Sequence, residues 1–158
     1  MISAADQADL KQKLPELIAD LYARGYRTFL CGGALGFDTL AAQAVLACKT
    51  ACPDIRLKMA LPCRSQSSAW AEADRQVYWE ILRQADEVCW ISENYYPGCM
   101  LMRNRYLVAH ASYCVCFLKD RRGGTAYTVA LAWRNGLEIR NMALLEEPAV
   151  QDINPDGC

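Results

Sequence analysis

Short, almost wholly apolar runs alternate along the chain with longer runs in which apolar residues recur at helical spacing. The apolar runs predict strands at 28–31, 55–61, 86–91, 113–118 and 137–145. The helical spacing predicts helices at 4–24, 37–48, 70–84, 97–108 and 125–135. Because the strand runs are apolar throughout, both faces of the sheet should be covered. The pattern therefore predicts an α/β fold, a Rossmann-like, doubly wound and mostly parallel sheet with helices on both faces.

The first predicted element is unusual, because a doubly wound domain usually opens with a strand and this chain opens with a helix. Either the first strand is absent from the chain or the fold begins with the helix. Absence of that strand would leave the strand at 28–31 with an unpaired or domain-swapped neighbour. Since an exposed strand edge attracts another chain, we expect a homo-oligomer or a protein partner.

The length of 158 residues suits one domain with a single core, which we place at residues 1–145. Residues 146–158 contain two prolines and few large apolar side chains. We therefore expect them to form a loosely ordered C-terminal tail.

Charge and cysteine content exclude several classes of protein. With 17 basic and 18 acidic residues the net charge is −1, which argues against a nucleic-acid or anionic-membrane surface. No apolar run reaches the ~18 residues of a membrane span, and the polar N-terminus lacks the apolar core of a signal peptide. Nine cysteines occur with a single histidine and no C-x-x-C pair. This composition favours free thiols in a reducing cytoplasm over a zinc site.

The turn after the first predicted strand is the strongest local signal for a ligand. The strand at 28–31 runs into Gly32, Gly33 and Gly36 before a helix begins. Strand, glycine turn and helix together present backbone N–H groups and a helix N-terminus to an anion. The spacing is neither the dinucleotide fingerprint nor a P-loop, and a tight β–α turn without a ligand explains it equally well.

Ligands bind beyond the carboxyl ends of the strands in such sheets, so the candidate site lies in the loops at that edge. The candidate ligand-binding residues there are Gly32, Gly33, Asp38, Cys63, Gln66, Tyr96, Arg103, Asn104, Gly123, Gly124 and Thr125. The two glycine turns would hold phosphate, and Arg103, beside a solvent cleft, would pair with its charge. Asn104, Gln66 and Tyr96 would select a sugar or base. The alternatives are a solvated helix face for Arg103 and Asn104, and a helix-dipole role for Asp38.

Few residues in these loops suit catalysis. No paired carboxylates occupy them, and the single histidine, His110, follows a predicted helix, where it suits the C-terminal dipole. We therefore predict no catalytic residues and no metal ligands, and the residues favour a binding protein over an enzyme.

Several motifs occur together and in order. They are Gly32–Asp38, Leu61–Cys63 with Gln66 and Trp70, Tyr96 with Gly98–Met100, Arg103–Tyr106, and Gly123–Thr128. Together they resemble the YpsA-like branch of the SLOG superfamily over about residues 5 to 145. That superfamily also includes the DNA-processing protein DprA and the lonely-guy (LOG) phosphoribohydrolases.

The resemblance implies a Rossmann-like fold and a pocket for a nucleotide or nucleotide-derived ligand, with no certain cofactor. It does not settle activity; our leading interpretation is a regulatory or signalling protein of the YpsA-like type that binds such a ligand. The chain departs from the family pattern in two places. It starts at Met1, beyond a family strand that ends in Gly-His-Arg. In addition, Gly123–Thr125 is followed by Ala126–Thr128, without the glutamate of the phosphoribohydrolases.

Two other functions remain open. A phosphoribohydrolase or other N-glycosidic hydrolase would need a carboxylate near the glycosidic carbon, and the loops offer Asp38 or Glu93. A DprA-like single-stranded DNA binder would need a basic groove with aromatic side chains, which the balanced charge argues against.

Overall fold

The computed structural model describes residues 2–143, which form five helices and five strands in regular alternation. The helices are α1 (Ala4–Ala23), α2 (Phe37–Cys48), α3 (Glu72–Gln84), α4 (Cys99–Ala109) and α5 (Gly124–Arg134). The strands are β1 (Thr28–Cys31), β2 (Arg56–Cys63), β3 (Glu87–Ser92), β4 (Tyr113–Cys116) and β5 (Glu138–Asn141). The predicted order of elements is confirmed.

The strands form two parallel sheets. One has the order β1-β2-β3, with Cys31 opposite Met59 at the end of β1, and the other pairs β4 with β5. The fold is therefore α/β and Rossmann-like. It differs from the expected single sheet because no backbone hydrogen bond joins β1 to β4 within residues 2–143.

Strand β2 shows that helices cover both faces of the three-stranded sheet. Leu57, Met59 and Leu61 are almost wholly buried and belong to a core cluster with side chains of α1, α2 and α3. Lys58 points to the opposite face, where its ammonium lies 5.3 Å from the centre of the Tyr106 ring in α4. Alternate side chains of one strand thus contact helices on opposite faces of the sheet.

Helix α1 holds the two sheets side by side. Leu10 and Leu14 form a second buried cluster with Met142, which follows β5. At the start of α1, both carboxylate oxygens of Asp6 accept from Lys119 Nζ, at 2.9 and 2.8 Å. These contacts hold β4 and β5 against the rest of the domain without pairing β4 to β1.

The ends of α1 follow the sequence signals. Ser3 Oγ accepts from the backbone N–H of Asp6 at 3.1 Å, which makes Ser3 the predicted N-cap. Gly25, with φ of 104°, follows the C-terminal end of the helix.

The expected end of β2 at Pro62 was wrong, because the strand continues to Cys63. The register explains why proline is tolerated there. Strand β1 ends opposite Met59, so beyond that point β2 pairs only with β3. Proline has no backbone N–H. Where that N–H would point to the unpaired side of the strand, proline costs no hydrogen bond of the sheet.

The last predicted strand is shorter than expected, since β5 ends at Asn141. Residues 144 and 145 of that prediction, and the predicted tail at 146–158, lie outside the described residues. None of the helices between residues 2 and 143 is both long and apolar enough to cross a membrane.

A matched pair of leucine substitutions tests the core. Leu57 is 0% exposed in β2, whereas Leu101 is 40% exposed in α4. Leu57→Ala should lower the free energy of unfolding by about 3 kcal/mol, because it removes buried methyl groups and leaves a cavity. Leu101→Ala should lower it by less than about 1 kcal/mol. Urea unfolding followed by circular dichroism measures both, and equal losses would contradict the assigned core.

Candidate functional site

A cavity of about 780 Å³ runs along β1 and β4 and reaches the loops beyond their carboxyl ends. Six of the predicted site residues line it: Gly32, Asp38, Arg103, Asn104, Gly124 and Thr125. They come from the turn after β1, from α4 and from the start of α5. The structure therefore brings together the two glycine turns and the two polar residues of α4 that the sequence singled out.

The turn after β1 requires glycine for two separate reasons. Gly33 has φ of 72°, and a Cβ built there would overlap Leu61 Cδ2. At Gly32 a Cβ would come within 3.0 Å of both Arg103 Nη1 and Asp38 Oδ2. The turn therefore packs directly on an arginine and a carboxylate, and a larger residue would displace them.

Arg103 was expected beside a solvent cleft, and this expectation was wrong, because its exposed fraction is only 6%. It lies four residues after the fully buried Cys99, on the same face of α4. Its Nη1 donates to the carbonyl oxygen of Gly32, and its Nε donates to Asn104 Oδ1 at 2.7 Å. Arg103 therefore supports the turn from within the protein.

Asp38 supports the same turn from its other side. Its Oδ2 accepts from the backbone N–H of Ala34 at 3.1 Å. Withdrawal from water raises the pKa of Asp38, and the guanidinium of Arg103 offsets part of that rise. Burial likewise lowers the pKa of Arg103, against the opposing effect of Asp38. The two groups thus lie close enough to affect each other's charge.

The second glycine turn faces Asn104. Gly123, with φ of 95°, is the N-cap of α5, and Gly124 begins the helix. A Cβ at Gly124 would lie 4.0 Å from Asn104 Nδ2. Asn104 Oδ1 accepts from Arg103, which donates in turn to Gly32, so Asn104 lies between the turn after β1 and the turn before α5.

The other predicted site residues do not line this cavity. Cys63 is 1% exposed at the end of β2, with its Sγ 3.7 Å from Ser65 Oγ. Tyr96 is 39% exposed in the loop before α4. Gln66 Oε1 is buried beside Gly33 without a hydrogen-bond partner among the described residues. Of these three residues, only Gln66 lies against the glycine turn.

Sequence reasoning missed the polar role of Tyr78. Its position in the apolar spacing of α3 predicts a packing residue, and its ring does belong to the core. Its hydroxyl is also buried and has no hydrogen-bond partner within the described part of the chain. Burial raises the pKa of Tyr78 to about 12, with Cys63 and Arg103 near enough to contribute. The buried residues next to Arg103 therefore include a polar group, the Tyr78 hydroxyl.

Two arginines of α4 test the role assigned to Arg103. Arg103→Ala should lower the free energy of unfolding by about 3 kcal/mol, because it removes a buried charge and leaves Asp38 uncompensated. Arg105→Ala is the matched control, since Arg105 is exposed and donates to Tyr127 Oη at 3.2 Å. It should cost less than about 1 kcal/mol. Equal unfolding midpoints in urea for the two variants would indicate that Arg103 is a surface residue, as the sequence suggested.

Asp38 gives a pH-dependent prediction. Its pKa in the folded protein lies above the ordinary value of 3.8, so folding disfavours the ionised form. The stability of the native protein relative to Asp38→Asn should therefore be greatest below pH 3.8. It should decline as the pH rises through the raised pKa and then level off. Urea unfolding of both proteins between pH 3 and pH 7 measures this difference; a difference that stays constant, or that grows with pH, would contradict the raised pKa.

The sequence pattern of the YspA SLOG family matches residues 4–143 of this chain. The chain is 32% identical over 126 residues to UPF0398 protein BH1768 of Halalkalibacterium halodurans, covering 78% of this chain and 67% of that protein. It is 30% identical over 130 residues to the uncharacterized SPbeta prophage-derived protein YoqJ of Bacillus subtilis, covering 73% and 75%. A UPF0398 protein of Bacillus thuringiensis is 28% identical over 135 residues, covering 84% and 71%.

The family match extends from the first helix past the end of β5 and includes both glycine turns. It agrees with the Rossmann-like arrangement of strands and helices. The chain belongs to the YpsA (UPF0398) family of the SLOG superfamily.

Proposed function

We propose that this protein binds a nucleotide or a nucleotide-derived ligand and acts in regulation or signalling. The observation that carries the proposal is the link between the two glycine turns. Each turn begins a helix, both contribute to one cavity, and Asn104, which accepts from Arg103, lies beside the second turn. The cavity volume of about 780 Å³ lies in the range of small-molecule sites.

In this proposal the N-terminal ends of α2 and α5 supply the backbone N–H groups that bind phosphate. The N-caps of α2 and α5 are Gly36 and Gly123, and neither helix start receives a side-chain capping hydrogen bond. The first backbone N–H groups of both helices are thus available to an anion, which the helix dipole also favours. This arrangement suits a ligand with phosphate at one or both turns.

The polar side chains at the cavity wall supply selectivity. Asn104 Oδ1 is engaged by Arg103, which leaves Nδ2 directed towards Gly124. In this proposal Nδ2 and the hydroxyl of Thr125 contact the phosphate or the sugar of the ligand. In this proposal Arg103 is a positioning residue, because its Nη1 donates to Gly32 and its Nε donates to Asn104 within the protein.

The carboxylates that a hydrolase would require are otherwise engaged. Asp38 accepts from the backbone of Ala34. Glu93 forms a 2.6 Å ion pair with Arg64, and both of those side chains are exposed. Neither carboxylate is directed to a glycosidic bond by these contacts, so binding is favoured over hydrolysis as the function of the site.

The cysteines support a cytoplasmic location for this activity. The eight cysteines within residues 2–143 are free thiols. Secreted proteins of this size usually pair their cysteines, whereas the reducing cytoplasm keeps them as thiols.

The identity of the ligand is testable by extraction. The purified full-length chain is denatured, and the released small molecules are identified by mass spectrometry. A phosphate-bearing nucleotide or derivative at near-equal molar ratio to protein would support the proposal. If none is released and no compound in a panel of nucleotides raises the melting temperature, the proposal fails.

A substitution at Asn104 tests the site itself. Asn104→Asp keeps the oxygen that accepts from Arg103, so the fold should be retained. It removes the Nδ2 donor and places a negative charge beside the proposed phosphate. Affinity for the nucleotide found by mass spectrometry should fall about ten- to a hundredfold, since ~1.4 kcal/mol is tenfold and a charge-assisted hydrogen bond is worth about 1.5–3 kcal/mol.

The matched control is Gln43→Glu, which makes the same charge change on an exposed position of α2 away from the cavity. Isothermal titration calorimetry compares the three proteins. An unchanged affinity of Asn104→Asp for the nucleotide would show that Asn104 does not contact it. An equal loss of affinity in Gln43→Glu would show that the change in net charge alone causes the loss.

A further inference from the structure

The loop between β4 and α5 leads directly into the second glycine turn. It follows the end of β4 at Cys116, and α5 begins at Gly124. Within the described part of the chain, residues 118–122 form no hydrogen bond from backbone to backbone. Since backbone polar groups of an ordered loop need partners, side chains have to supply them here. The position of the second turn therefore depends on a few side-chain contacts.

Two of these contacts lie close to the loop in sequence or in the sheet. The side chain of Asn141, at the end of β5, accepts from the N–H of Leu118 and donates to its carbonyl oxygen, each at 2.9 Å. Asp120 Oδ1 accepts from the backbone N–H of Arg122 at 3.1 Å. The first contact fixes the beginning of the loop, and the second shapes its end just before Gly123.

The third contact, between Asp6 and Lys119, joins the loop to α1. Lys119 Nζ donates to both carboxylate oxygens of Asp6, at 2.9 and 2.8 Å. Asp6 is only 5% exposed, and its Oδ2 also accepts from Ser3 Oγ at 2.7 Å. The hydrogen bond from Lys119 holds the pKa of Asp6 below its ordinary value. Because a buried carboxylate requires such partners, α1 fixes the place of Lys119.

The same end of α1 also contacts the first glycine turn. A Cβ at Gly36 would lie 3.6 Å from Ile2 Cδ1. Phe37, the first residue of α2, stacks on Phe117 with ring centroids 6.2 Å apart. Lys119 Nζ in turn lies 5.4 Å from the centre of the Phe117 ring. The beginning of α1 thus contacts both loops from which α2 and α5 start.

We propose that Asp6 and Lys119 are positioning residues for the second glycine turn. The ion pair holds the loop at Lys119 and thereby sets the direction in which Gly124 and the first N–H groups of α5 face a phosphate. Neither side chain lines the cavity, so the pair acts without touching the ligand. This inference rests on the proposed function, because it takes phosphate as the group that binds at α5.

The alternative is that Lys119 itself binds the phosphate, since half of its side chain is exposed. The two roles predict opposite effects of Asp6→Asn, which removes the carboxylate charge and releases Lys119. A lysine that binds phosphate would then bind it more tightly. A lysine that positions the turn would lose its anchor, and phosphate would bind more weakly.

The test compares two lysine–aspartate pairs that both involve α1. Lys119→Met and Asp6→Asn each remove one charge and keep a side chain of similar size. Lys13→Met and Asp9→Asn are the matched controls, because Lys13 and Asp9 form a 2.7 Å ion pair within α1 alone. Lys119→Arg keeps the cation and should behave like the native chain.

Amide exchange measured by NMR without ligand tests the loop itself. The amides of Leu118, Arg122 and Tyr127 donate hydrogen bonds in the loop and in the first turn of α5. Their exchange should be about tenfold faster in Lys119→Met and Asp6→Asn, and unchanged in the controls and in Lys119→Arg. Unchanged exchange at these amides, or an equal acceleration at residues 28–31 in β1, would overturn the positioning role.

Titration with inorganic phosphate tests the consequence for binding. The amide NMR resonances of Gly124 and Gly36 report phosphate at the two helix starts separately. Asp6→Asn and Lys119→Met should weaken phosphate binding about tenfold at Gly124, a change of ~1.4 kcal/mol, and leave Gly36 unchanged. Tighter binding in Asp6→Asn would make Lys119 a phosphate ligand, and equal losses at both glycines would indicate a general loss of structure; either result overturns the inference.

The two measurements separate this inference from the proposed function. If inorganic phosphate shifts neither glycine resonance in the native chain, the proposed phosphate sites fail and this inference fails with them. If phosphate shifts both resonances but Asp6→Asn changes neither the amide exchange nor the affinity at Gly124, the proposed function stands and this inference alone is wrong.

Discussion

The guanidinium of Arg103 is the interaction on which the site depends. It is removed from water, and its donors reach the carbonyl of Gly32 in one direction and Asn104 in the other. A buried charge is tolerated only where hydrogen bonds and nearby opposite charge replace its hydration. The turn after β1 supplies these through Gly32 and, at longer range, Asp38. The position of the turn and the position of the arginine therefore determine each other.

This mutual dependence explains why the turn is so restrictive in sequence. Gly33 has to adopt a positive φ over Leu61, and Gly32 has to leave room for Arg103 and Asp38. Glycine is demanded by the packing beneath the turn, whether or not a ligand lies above it. Packing thus explains the glycines of the first turn, and the proposed ligand depends on the second turn and on Asn104.

The sequence predicted the order and type of the elements because apolar runs and helical spacing are local signals. Ser3 and Gly25 were found at the ends of α1 for the same reason, since caps depend on a few adjacent residues. The burial of Arg103 was missed because it depends on a carbonyl 71 residues earlier in the chain. The end of β2 was missed because the tolerance for Pro62 depends on where its neighbour β1 stops. The division into two sheets is likewise a property of pairing that no single segment encodes.

The glycine starts of α2 and α5 have a consequence for the energetics of the whole domain. Neither of these helices has a side-chain cap, and glycine at the N-cap is a few tenths of a kcal/mol less favourable than serine or asparagine. The protein without ligand therefore forgoes stability at two places that face the same cavity. An anion that satisfies these N–H groups contributes to folding as well as to binding. Under the proposed function, the apparent stability of the chain depends on the anions in its buffer, and inorganic phosphate or sulfate is a variable of every unfolding experiment.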